Sequence, residues 1–297
     1  MRIERQTGAI ALAAVDDLLQ AVALQQDHQP LPDHLWLDLR DGGGPGFVAV
    51  TAHDDGALIG YAQGSRGNGS TAAAVVLAPN AESPELAEAL LAELLAGVAD
   101  NGGGTVDWWV AEPSQLHETA AAEAGLHRGR DLLQMARALP VGTPIAIETR
   151  SFRPGIDDDD LVDVNNRAFA DHHEQGGWTV ATLRRRMAEP WFDPDGLRIH
   201  DRDGRLAGFC WTKLHAERRP VEGEIYVIAV DPDFHGRGLG RQLTLAGLDS
   251  IARRDVVVGM LYVDPANTAA VHLYRSLGFA VRRRDRAYTV ELAPTAS

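Results

Sequence analysis

Apolar residues along this chain form short runs whose spacing alternates between that of strands and that of helices. Such runs surround an Asp-Gly pair at residues 55–56 and again at 203–204, which favours a β-hairpin at each place. Helical spacing follows over Pro84–Ala99 and over Leu239–Ala252. Antiparallel strands followed by alternating helices and strands predict an α/β fold with a mixed sheet.

The same order of elements is predicted in both halves of the chain. Each half begins with a helix, continues with a hairpin, adds a β-branched strand and a helix, and ends with strand, helix and strand. The predicted segments are 11–23, 47–50, 58–63, 74–77, 84–99, 106–110, 115–124 and 132–139 in the first half, and 161–169, 198–200, 206–213, 224–230, 239–252, 257–263, 268–277 and 287–292 in the second.

An internal duplication accounts for this parallel. The segment Asp55–Tyr61 matches Asp203–Phe209 at an offset of 148 residues (Asp55 to Asp203). Three later matches share an offset of 153 residues: Pro79 with Pro232, Val110 with Val263, and Gly125 with Gly278. A constant offset over this distance indicates a repeat. Because the Pro- and Gly-containing segment Pro140–Pro144 separates the halves, we predict domains at residues 1–142 and 146–297.

Composition and charge narrow the possible functions. Of the 297 residues, 45% are apolar and 24% are charged, as in ordinary globular proteins. The formal net charge of −14 disfavours nonspecific nucleic-acid binding. The sequence contains no run of 18 apolar residues, and its first residues lack the apolar core of a signal peptide. We therefore expect a cytoplasmic protein that binds neither membranes nor nucleic acids, and we expect it to be a monomer.

Two groups of side chains have plain structural interpretations. Cys210, the only cysteine, lies in an apolar run and is expected to be a buried, unreactive thiol. The arginine runs at 184–186 and 282–284 are expected to lie on solvated faces.

The segment from Ile225 to Leu243 carries the strongest chemical signal. It reads as an apolar strand, an Asp-Pro turn, a loop with glycines at 236, 238 and 240, and an amphipathic helix. Glycines let the backbone approach a bulky anion, and the amides and dipole of a helix N-terminus attract it. The pattern predicts a pyrophosphate site. It is not a Walker loop, because no Gly-Lys-Ser/Thr follows, and no acidic residue is placed to hold a ribose as in a Rossmann fold.

This loop resembles a known family signature. The run His235-Gly236-Arg237-Gly238-Leu239-Gly240 resembles the pyrophosphate loop Gln/Arg-x-x-Gly-x-Gly/Ala of the GNAT acetyltransferases, with His235 at the position of Gln or Arg. The later segment from Asn267 through Tyr274 to Gly278-Phe279 resembles the second hallmark of that family. The resemblance implies two tandem GNAT acyl-CoA N-acyltransferase domains that use acetyl-CoA as co-substrate and no metal.

The resemblance also implies which residues contact acetyl-CoA. They are Ile228, Ala229, Val230, His235, Gly236, Arg237, Gly238, Leu239, Gly240, Arg241, Asn267, Thr268, Ala269, Ala270, Val271 and His272, together with Val75, Val76 and Leu77 at the equivalent strand of the first half. In the first half, however, Ser83, Glu85 and Ala87 replace the three glycines and Ala121 replaces Tyr274. We therefore predict that the first half is degenerate and not catalytic.

Acetyl transfer to an amine needs a neutral amine, a stabilised oxyanion and a proton for the departing thiolate. Glu224 starts the strand that leads into the loop and is the candidate general base, with Glu222 as the neighbouring alternative. Tyr274 has an ordinary pKa of about 10 and is the candidate general acid. The plain alternatives are a surface glutamate at a strand start and a tyrosine packed on a helix.

Several segments of the second half narrow the resemblance to the mycothiol synthase family: Asn165–His172, Glu174–Thr179, Glu189–Gly196, Gly208–Lys213, Gly238–Leu248 and Leu261–Asp264. The resemblance implies acetylation of the cysteine amine of cysteinyl-glucosaminyl-inositol, a small thiol-sugar. The implied substrate-binding residues are Asp33, Glu174, Lys213, Glu224 and Tyr262, and Trp178, Trp191 and Trp211 either stack on sugar or pack in the core. The alternatives are a GNAT enzyme with another amine acceptor and a non-catalytic acetyl-CoA-binding module.

Overall fold

The computed structural model describes residues 1–6, 12, 15–25, 29–67, 69–170, 176–216, 218 and 220–295. It contains two compact units. The first unit comprises Met1–Asp131 and Arg284–Ser297, and the second unit comprises Leu132–Arg283. No helix within the described ranges combines the length and apolar content needed to cross a bilayer.

The strands are β1 (Arg2–Gln6), β2 (Val48–Asp54), β3 (Ala57–Arg66), β4 (Thr71–Leu77), β5 (Gly104–Ala111), β6 (His127–Ala138), β7 (Arg150–Ser151), β8 (Leu197–Arg202), β9 (Arg205–His215), β10 (Glu222–Val230), β11 (Val258–Val263) and β12 (Ala280–Leu292). The helices are α1 (Asp16–Gln25), α2 (Asp33–Arg40), α3 (Pro84–Asp100), α4 (Gln115–Glu123), α5 (Asp158–Ala168), α6 (Val180–Met187), α7 (Leu239–Ala252) and α8 (Thr268–Ser276). Single 3₁₀ turns lie at Pro194–Gly196 and Pro232–Phe234.

The sheet of the first unit has the strand order β1-β2-β3-β4-β5-β12. All of these neighbours are antiparallel except β4 and β5, which run parallel. One face packs against α3, whose Leu90 and Leu94 are fully buried, and the other face packs against α1 and α2. The spacing of the buried leucines puts them on one side of α3, which is why this helix covers the sheet.

The sheet of the second unit has the equivalent order β7-β8-β9-β10-β11-β6, with β10 and β11 parallel and the other pairs antiparallel. The core on one face includes residues of α7 and α8, and the core on the other face includes residues of α5 and α6. The predicted mixed α/β fold is therefore confirmed. The elements β1, β7, α2 and α6 lie outside the predicted segments.

Both predicted hairpins are present, and their turns explain the Asp-Gly pairs. Asp55 and Gly56 have φ values of 47° and 84°, and Asp203 and Gly204 have 52° and 75°. Two successive residues with positive φ define the turn that best matches the twist of a hairpin. Glycine and aspartate tolerate that backbone conformation better than most residues.

The last strand of each repeat belongs to the sheet of the other unit. Residues 285–292 of β12 pair with β5 in the first unit, and residues 133–138 of β6 pair with β11 in the second. The compact units therefore differ from the predicted domains 1–142 and 146–297. The prediction followed the order of the repeats along the chain, whereas the units follow the pairing of strands.

Candidate functional site

The strand β10 separates from β11 part-way along its length. It pairs with β9 from Glu222 to Val230, with a register shift between Ile225 and Val227, but its pairing with β11 ends at Ile225. A bulge of this kind bends and twists a strand. Beyond Ile225 the β11-facing backbone of residues 226–230 is therefore outside the ladder. An unpaired strand edge of this kind can hydrogen-bond an extended ligand arm.

The turn after β10 is fixed by buried charge. Asp231 is buried, and its carboxylate accepts hydrogen bonds from the backbone amide of Asp233 at 2.9 Å and from Arg167 Nη1 at 2.7 Å. Arg205 pairs with Asp233 at 3.1 Å. The two arginines compensate the two carboxylates, so the turn that leads into the glycine loop carries little net negative charge.

The glycine loop leaves a helix N-terminus open. Gly236 and Gly238 each have a φ of 74°, and a Cβ on either would meet no atom within 4 Å. Glycine is therefore required here by the backbone conformation, with free space in front of the loop. Gly238 is the N-cap of α7, and the first helical bond runs from the amide of Gln242 to the carbonyl of Gly238 at 3.3 Å. The amides of Leu239, Gly240 and Arg241 precede that bond, as the first amides of a helix do.

These features fit a pyrophosphate. Amides without a helical partner, a positive helix end and unfilled space are the properties that bind phosphate groups. His235 does not weaken the loop: its Nε2 lies 3.0 Å from the carbonyl of Val230, and because a carbonyl only accepts, the ring nitrogen donates. The side chain thereby ties the loop to the end of β10.

The helix α8 lies beside α7, and the residue that precedes α8 has a structural role. Arg241 Nη1 donates to Ser276 Oγ at 2.8 Å, which joins the start of α7 to the end of α8. Asn267 caps α8 by accepting a hydrogen bond from the amide of Ala270 at 3.1 Å. Of the other predicted cofactor residues in this segment, Thr268, Ala269 and His272 are exposed, Ala270 is half-buried and Val271 is buried.

The first unit keeps the strand separation but not the open helix end. The strand β4 pairs with β5 only from Thr71 to Ala73, so Val75–Leu77 lie beyond the pairing, as Ile228–Val230 do in the second unit. At the start of α3, however, Ser83 Oγ already accepts from the amide of Leu86 at 3.1 Å. Pro84 has no amide hydrogen to offer. Glu85 adds a negative charge to the same turn. This helix end is a poor anion site.

The two faces of β10 have different chemistry. Ile225 packs into the core under α7, whereas Tyr226 packs into the core under α5 and α6. Because successive side chains of a strand point to opposite faces, Glu224 lies on the α5/α6 side. Direct cross-strand partners share a face, and Glu224 pairs with Lys213 while Glu222 pairs with His215. We call the surface formed by Glu222, Glu224, Lys213 and His215 the polar face.

The two glutamates of the polar face have different partners. Glu224 is buried, and its Oε2 lies 2.7 Å from His215 Nε2. Glu222 is also buried and forms ion pairs with Arg218 at 2.6 Å and with Arg282 at 2.8 Å. Burial raises the pKa of Glu222, but the hydrogen bonds from Arg282 and Arg218 outweigh it and hold that pKa below its usual value. Glu222 is therefore an ion-pair residue, whereas Glu224 is hydrogen-bonded to an imidazole.

Lys213 and Tyr262 lie on the same side of the sheet. Lys213 Nζ lies 5.0 Å from the ring centre of Trp191 and 5.9 Å from that of Tyr226, within the range of cation–π attraction. Met260 of β11 pairs with Glu224, and Tyr262 lies two residues further along the same strand and therefore on the same face. Its hydroxyl receives hydrogen bonds from Gln134 Nε2 at 2.7 Å and Arg283 Nη2 at 3.2 Å.

Tyr274 approaches from the opposite face. It is buried in the core that contains Cys210 and α7, and its ring packs edge-on against Phe279 at 5.8 Å. Burial, with a smaller contribution from Cys210, raises the pKa of Tyr274 to about 12. The phenol therefore stays protonated at neutral pH. The sheet thus carries a carboxylate on one face and a phenol on the other.

Residues 160–279 match the model of the Acetyltransferase (GNAT) family. The chain is 41% identical over 274 residues to the mycothiol acetyltransferase of Thermobispora bispora, which covers 90% of this chain and 91% of that protein. It is 40% identical over 290 residues to the mycothiol acetyltransferase of Acidothermus cellulolyticus, covering 90% and 86% respectively.

The chain belongs to the mycothiol acetyltransferase family. It is a GNAT acetyltransferase, as its loop and second hallmark predicted. Solved structures support the fold of this family member. A GCN5-related N-acetyltransferase from Sphaerobacter thermophilus has a TM-score of 0.72 at 22% identity, covering 99% of this chain and 97% of that chain. A tandem GNAT protein from the clavulanic acid biosynthesis pathway has a TM-score of 0.72 at 17% identity, covering 99% and 100%.

The remaining predicted substrate-binding residues and the tryptophans lie in different parts of the chain. Asp33 is the first residue of α2 in the first unit. Glu174 lies outside the described residues. Trp178 and Trp211 are buried and pack in the core, whereas Trp191 is half-buried. Within the described parts of the chain, no group of three or more His, Cys, Asp or Glu residues is arranged to hold a metal ion.

Cys210 is buried, and burial raises its pKa to about 12, which confirms an unreactive thiol. The expectation that residues 282–284 lie on a solvated face is confirmed for Arg282 and Arg284, which are exposed, although the Arg282 guanidinium also binds the buried Glu222.

His215 is a residue of the polar face that the sequence motifs do not indicate. It lies two residues beyond Lys213 and directly opposite Glu222 in the β9–β10 pairing. The register of that antiparallel pair, read together with the alternation of faces, is the signal that could have found it.

Proposed function

We propose that the second unit transfers the acetyl group of acetyl-CoA to the cysteine amine of cysteinyl-glucosaminyl-inositol. The products are mycothiol and CoA, and the reaction is the last step of mycothiol biosynthesis. The observation that carries this proposal is the open N-terminus of α7 next to the separation of β10 from β11. The names of the curated relatives support the choice of acceptor.

The chain offers a pyrophosphate site and a strand edge in succession. The amides around Gly238–Arg241 would bind the pyrophosphate, and the backbone of residues 226–230 would bind the arm that leads to the thioester. Acetyl-CoA supplies an activated acyl group. The residues of the loop and of β10 orient it, and α8 contributes the wall that carries Tyr274.

Proton transfer is assigned to the two faces of the sheet. Glu224 accepts a proton from the amine, whose ordinary pKa of about 8 needs only a modest base near neutral pH. The neutral amine nitrogen then bonds to the acyl carbon and loses its second proton to solvent, the carbon–sulfur bond breaks, and Tyr274 donates its proton to the departing sulfur. Because Tyr274 is buried on the other face, the amine enters from the polar face and the thiolate leaves towards α8.

The acceptor needs polar contacts around Glu224. Lys213 and Tyr262 lie on the same side of the sheet and would bind hydroxyl groups of the sugar or inositol. Glu174 and Asp33 are proposed contacts from the family resemblance alone. The first unit is proposed to be non-catalytic, since the start of its α3 is capped by Ser83. The cytoplasmic location and the monomeric state remain predictions from the sequence.

The test is product analysis with the full chain. We expect incubation with acetyl-CoA and cysteinyl-glucosaminyl-inositol to add one acetyl group to the cysteine nitrogen and to release one CoA per product. Glucosaminyl-inositol without the cysteine is the matched control and should not react. A higher kcat/KM for another amine would replace the proposed acceptor, and acetyl-CoA binding without acetylation of any amine would contradict a catalytic role.

A further inference from the structure

The buried pair of His215 and Glu224 is not explained by strand pairing alone. In the β9–β10 register, Glu224 is directly opposite Lys213, and His215 is directly opposite Glu222. Yet the contact that forms is the diagonal one, with His215 Nε2 at 2.7 Å from Glu224 Oε2 and side chains that are 8% and 11% exposed. A short hydrogen bond between two nearly buried polar groups restricts both side chains.

The direct cross-strand partners of Glu224 and His215 have other contacts. Lys213 Nζ lies over the rings of Trp191 and Tyr226. Glu222 receives hydrogen bonds from Arg218 and from Arg282 on both of its carboxylate oxygens. On the polar face, Glu222 therefore pairs with the two arginines and Glu224 pairs with the imidazole of His215.

The direction of this hydrogen bond determines which carboxylate oxygen of Glu224 can accept a proton from a substrate. An ionised carboxylate only accepts, so His215 Nε2 carries the hydrogen and donates it. Oε2 of Glu224 is thereby engaged. The contact with His215 involves Oε2 and not Oε1, so Oε1 is the oxygen that can receive a proton from a substrate.

We propose that His215 is a positioning residue that holds Glu224 by a hydrogen bond to Oε2 and leaves Oε1 as the proton-accepting atom. This inference rests on the proposed function, in which Glu224 is the general base. A glutamate without this bond would sample several rotamers, and a displacement of about 1 Å in a catalytic group lowers a rate by roughly 100-fold.

The experiment compares two replacements of His215 in the full chain. His215→Phe keeps a ring but removes the donor, and His215→Gln keeps an amide N–H that can reach the carboxylate. We expect His215→Phe to lower kcat by about 10- to 100-fold with KM for acetyl-CoA unchanged, and His215→Gln to stay within about 5-fold of wild type. The same two substitutions at His127, an exposed residue of the first unit, are the matched control and should change neither constant.

Two readouts separate this inference from the proposed function. The first is kcat with cysteinyl-glucosaminyl-inositol, and the second is the slow hydrolysis of acetyl-CoA without acceptor, which needs a base for water but no particular amine. Loss of both rates in His215→Phe with recovery in His215→Gln supports the positioning role. A wild-type rate in His215→Phe, or an equal loss in both variants, overturns it. A wild-type enzyme that hydrolyses acetyl-CoA but does not acetylate the thiol contradicts only the proposed acceptor.

Discussion

Glu222 and Glu224 are two residues apart on one strand and equally buried, but their surroundings give them different chemistry. Glu222 is bound by Arg218 and Arg282, and a carboxylate with two guanidinium partners holds its charge and resists protonation. Among the described residues, the partner of the Glu224 carboxylate is the imidazole of His215. Residue type alone does not distinguish a glutamate in a structural ion pair from one that acts as a general base. The number and charge of the glutamate's partners do.

Replacing each glutamate by glutamine should separate these roles. We expect Glu224→Gln to lower kcat by at least about 100-fold with little change in the free energy of unfolding. Glu222→Gln should instead lower that free energy by about 2 kcal/mol at neutral pH, because two arginines lose a charged partner. Enzyme kinetics and urea unfolding of the two variants measure both effects. A larger loss of kcat in Glu222→Gln than in Glu224→Gln would reverse the assignment.

The effect of Glu222 on stability should depend on pH. Its pKa is lowered in the folded state, so its ion pairs stabilise that state above the ordinary glutamate pKa of about 4.3. This contribution is lost as the pH falls below that value through the folded pKa. The difference in unfolding free energy between wild type and Glu222→Gln should therefore be constant near neutrality and shrink below about pH 4. A difference that persists unchanged in acid would show that packing, not charge, is lost.

The raised pKa of Tyr274 predicts how kcat depends on pH in the alkaline range. Its pKa of about 12 keeps the phenol protonated well above neutral pH. We expect kcat to stay level between about pH 8 and about pH 10, where an ordinary tyrosine begins to ionise. Tyr274→Phe should lower kcat by about 100-fold over the whole range while the Kd for acetyl-CoA is unchanged. A wild-type kcat in Tyr274→Phe would remove the phenol from the acid role.

At the scale of elements, the site depends on a strand that diverges from its neighbour and on a helix whose N-terminus has no side-chain cap. The glycine loop and the second hallmark could be predicted because their residues are close in sequence and have restrictive spacing. Lys213 and Tyr262 followed from resemblance to a family. His215 and Arg282 could not be placed in the same way, because their partners depend on strand register and on contacts between distant segments, which local spacing does not determine.

The open end of α7 can be tested with a pair of matched glycines. Gly238 and Gly204 have φ values of 74° and 75°, and a Cβ on either meets no atom within 4 Å. Glutamate should therefore strain the backbone equally at both positions. Only Gly238→Glu places a negative charge at the proposed pyrophosphate site. We expect it to weaken acetyl-CoA binding by roughly 100-fold or more, because like charges replace an attractive helix end.

Calorimetric titration of acetyl-CoA, with the melting temperature as a folding control, measures this difference. Gly204→Glu should lower the melting temperature by a similar amount to Gly238→Glu and leave the Kd unchanged. Equal loss of affinity in the two variants would mean that the start of α7 does not hold the pyrophosphate.

At the scale of the whole molecule, the repeat along the chain and the compact units do not coincide. The first unit needs residues 285–292 to cover β5, and the second needs residues 133–138 to cover β11. Sequence matching could reveal the duplication, because it compares residues at a fixed offset. It could not reveal which strand completes which sheet, because the last strands of the two repeats are equivalent by sequence.

Two fragments of the chain should therefore behave differently. Fragment 146–297 follows the predicted domain, but it lacks the strand that pairs with β11 and retains residues 285–292 without their partner β5. Fragment 132–283 contains every strand of the second sheet. An uncovered strand edge with apolar neighbours such as Leu261 and Val263 promotes association instead of folding. We expect fragment 132–283 to unfold cooperatively in a circular dichroism melt and fragment 146–297 to aggregate or melt without a clear transition. The opposite result would mean that each repeat completes its own sheet, and the strand assignment given above would have to be reversed.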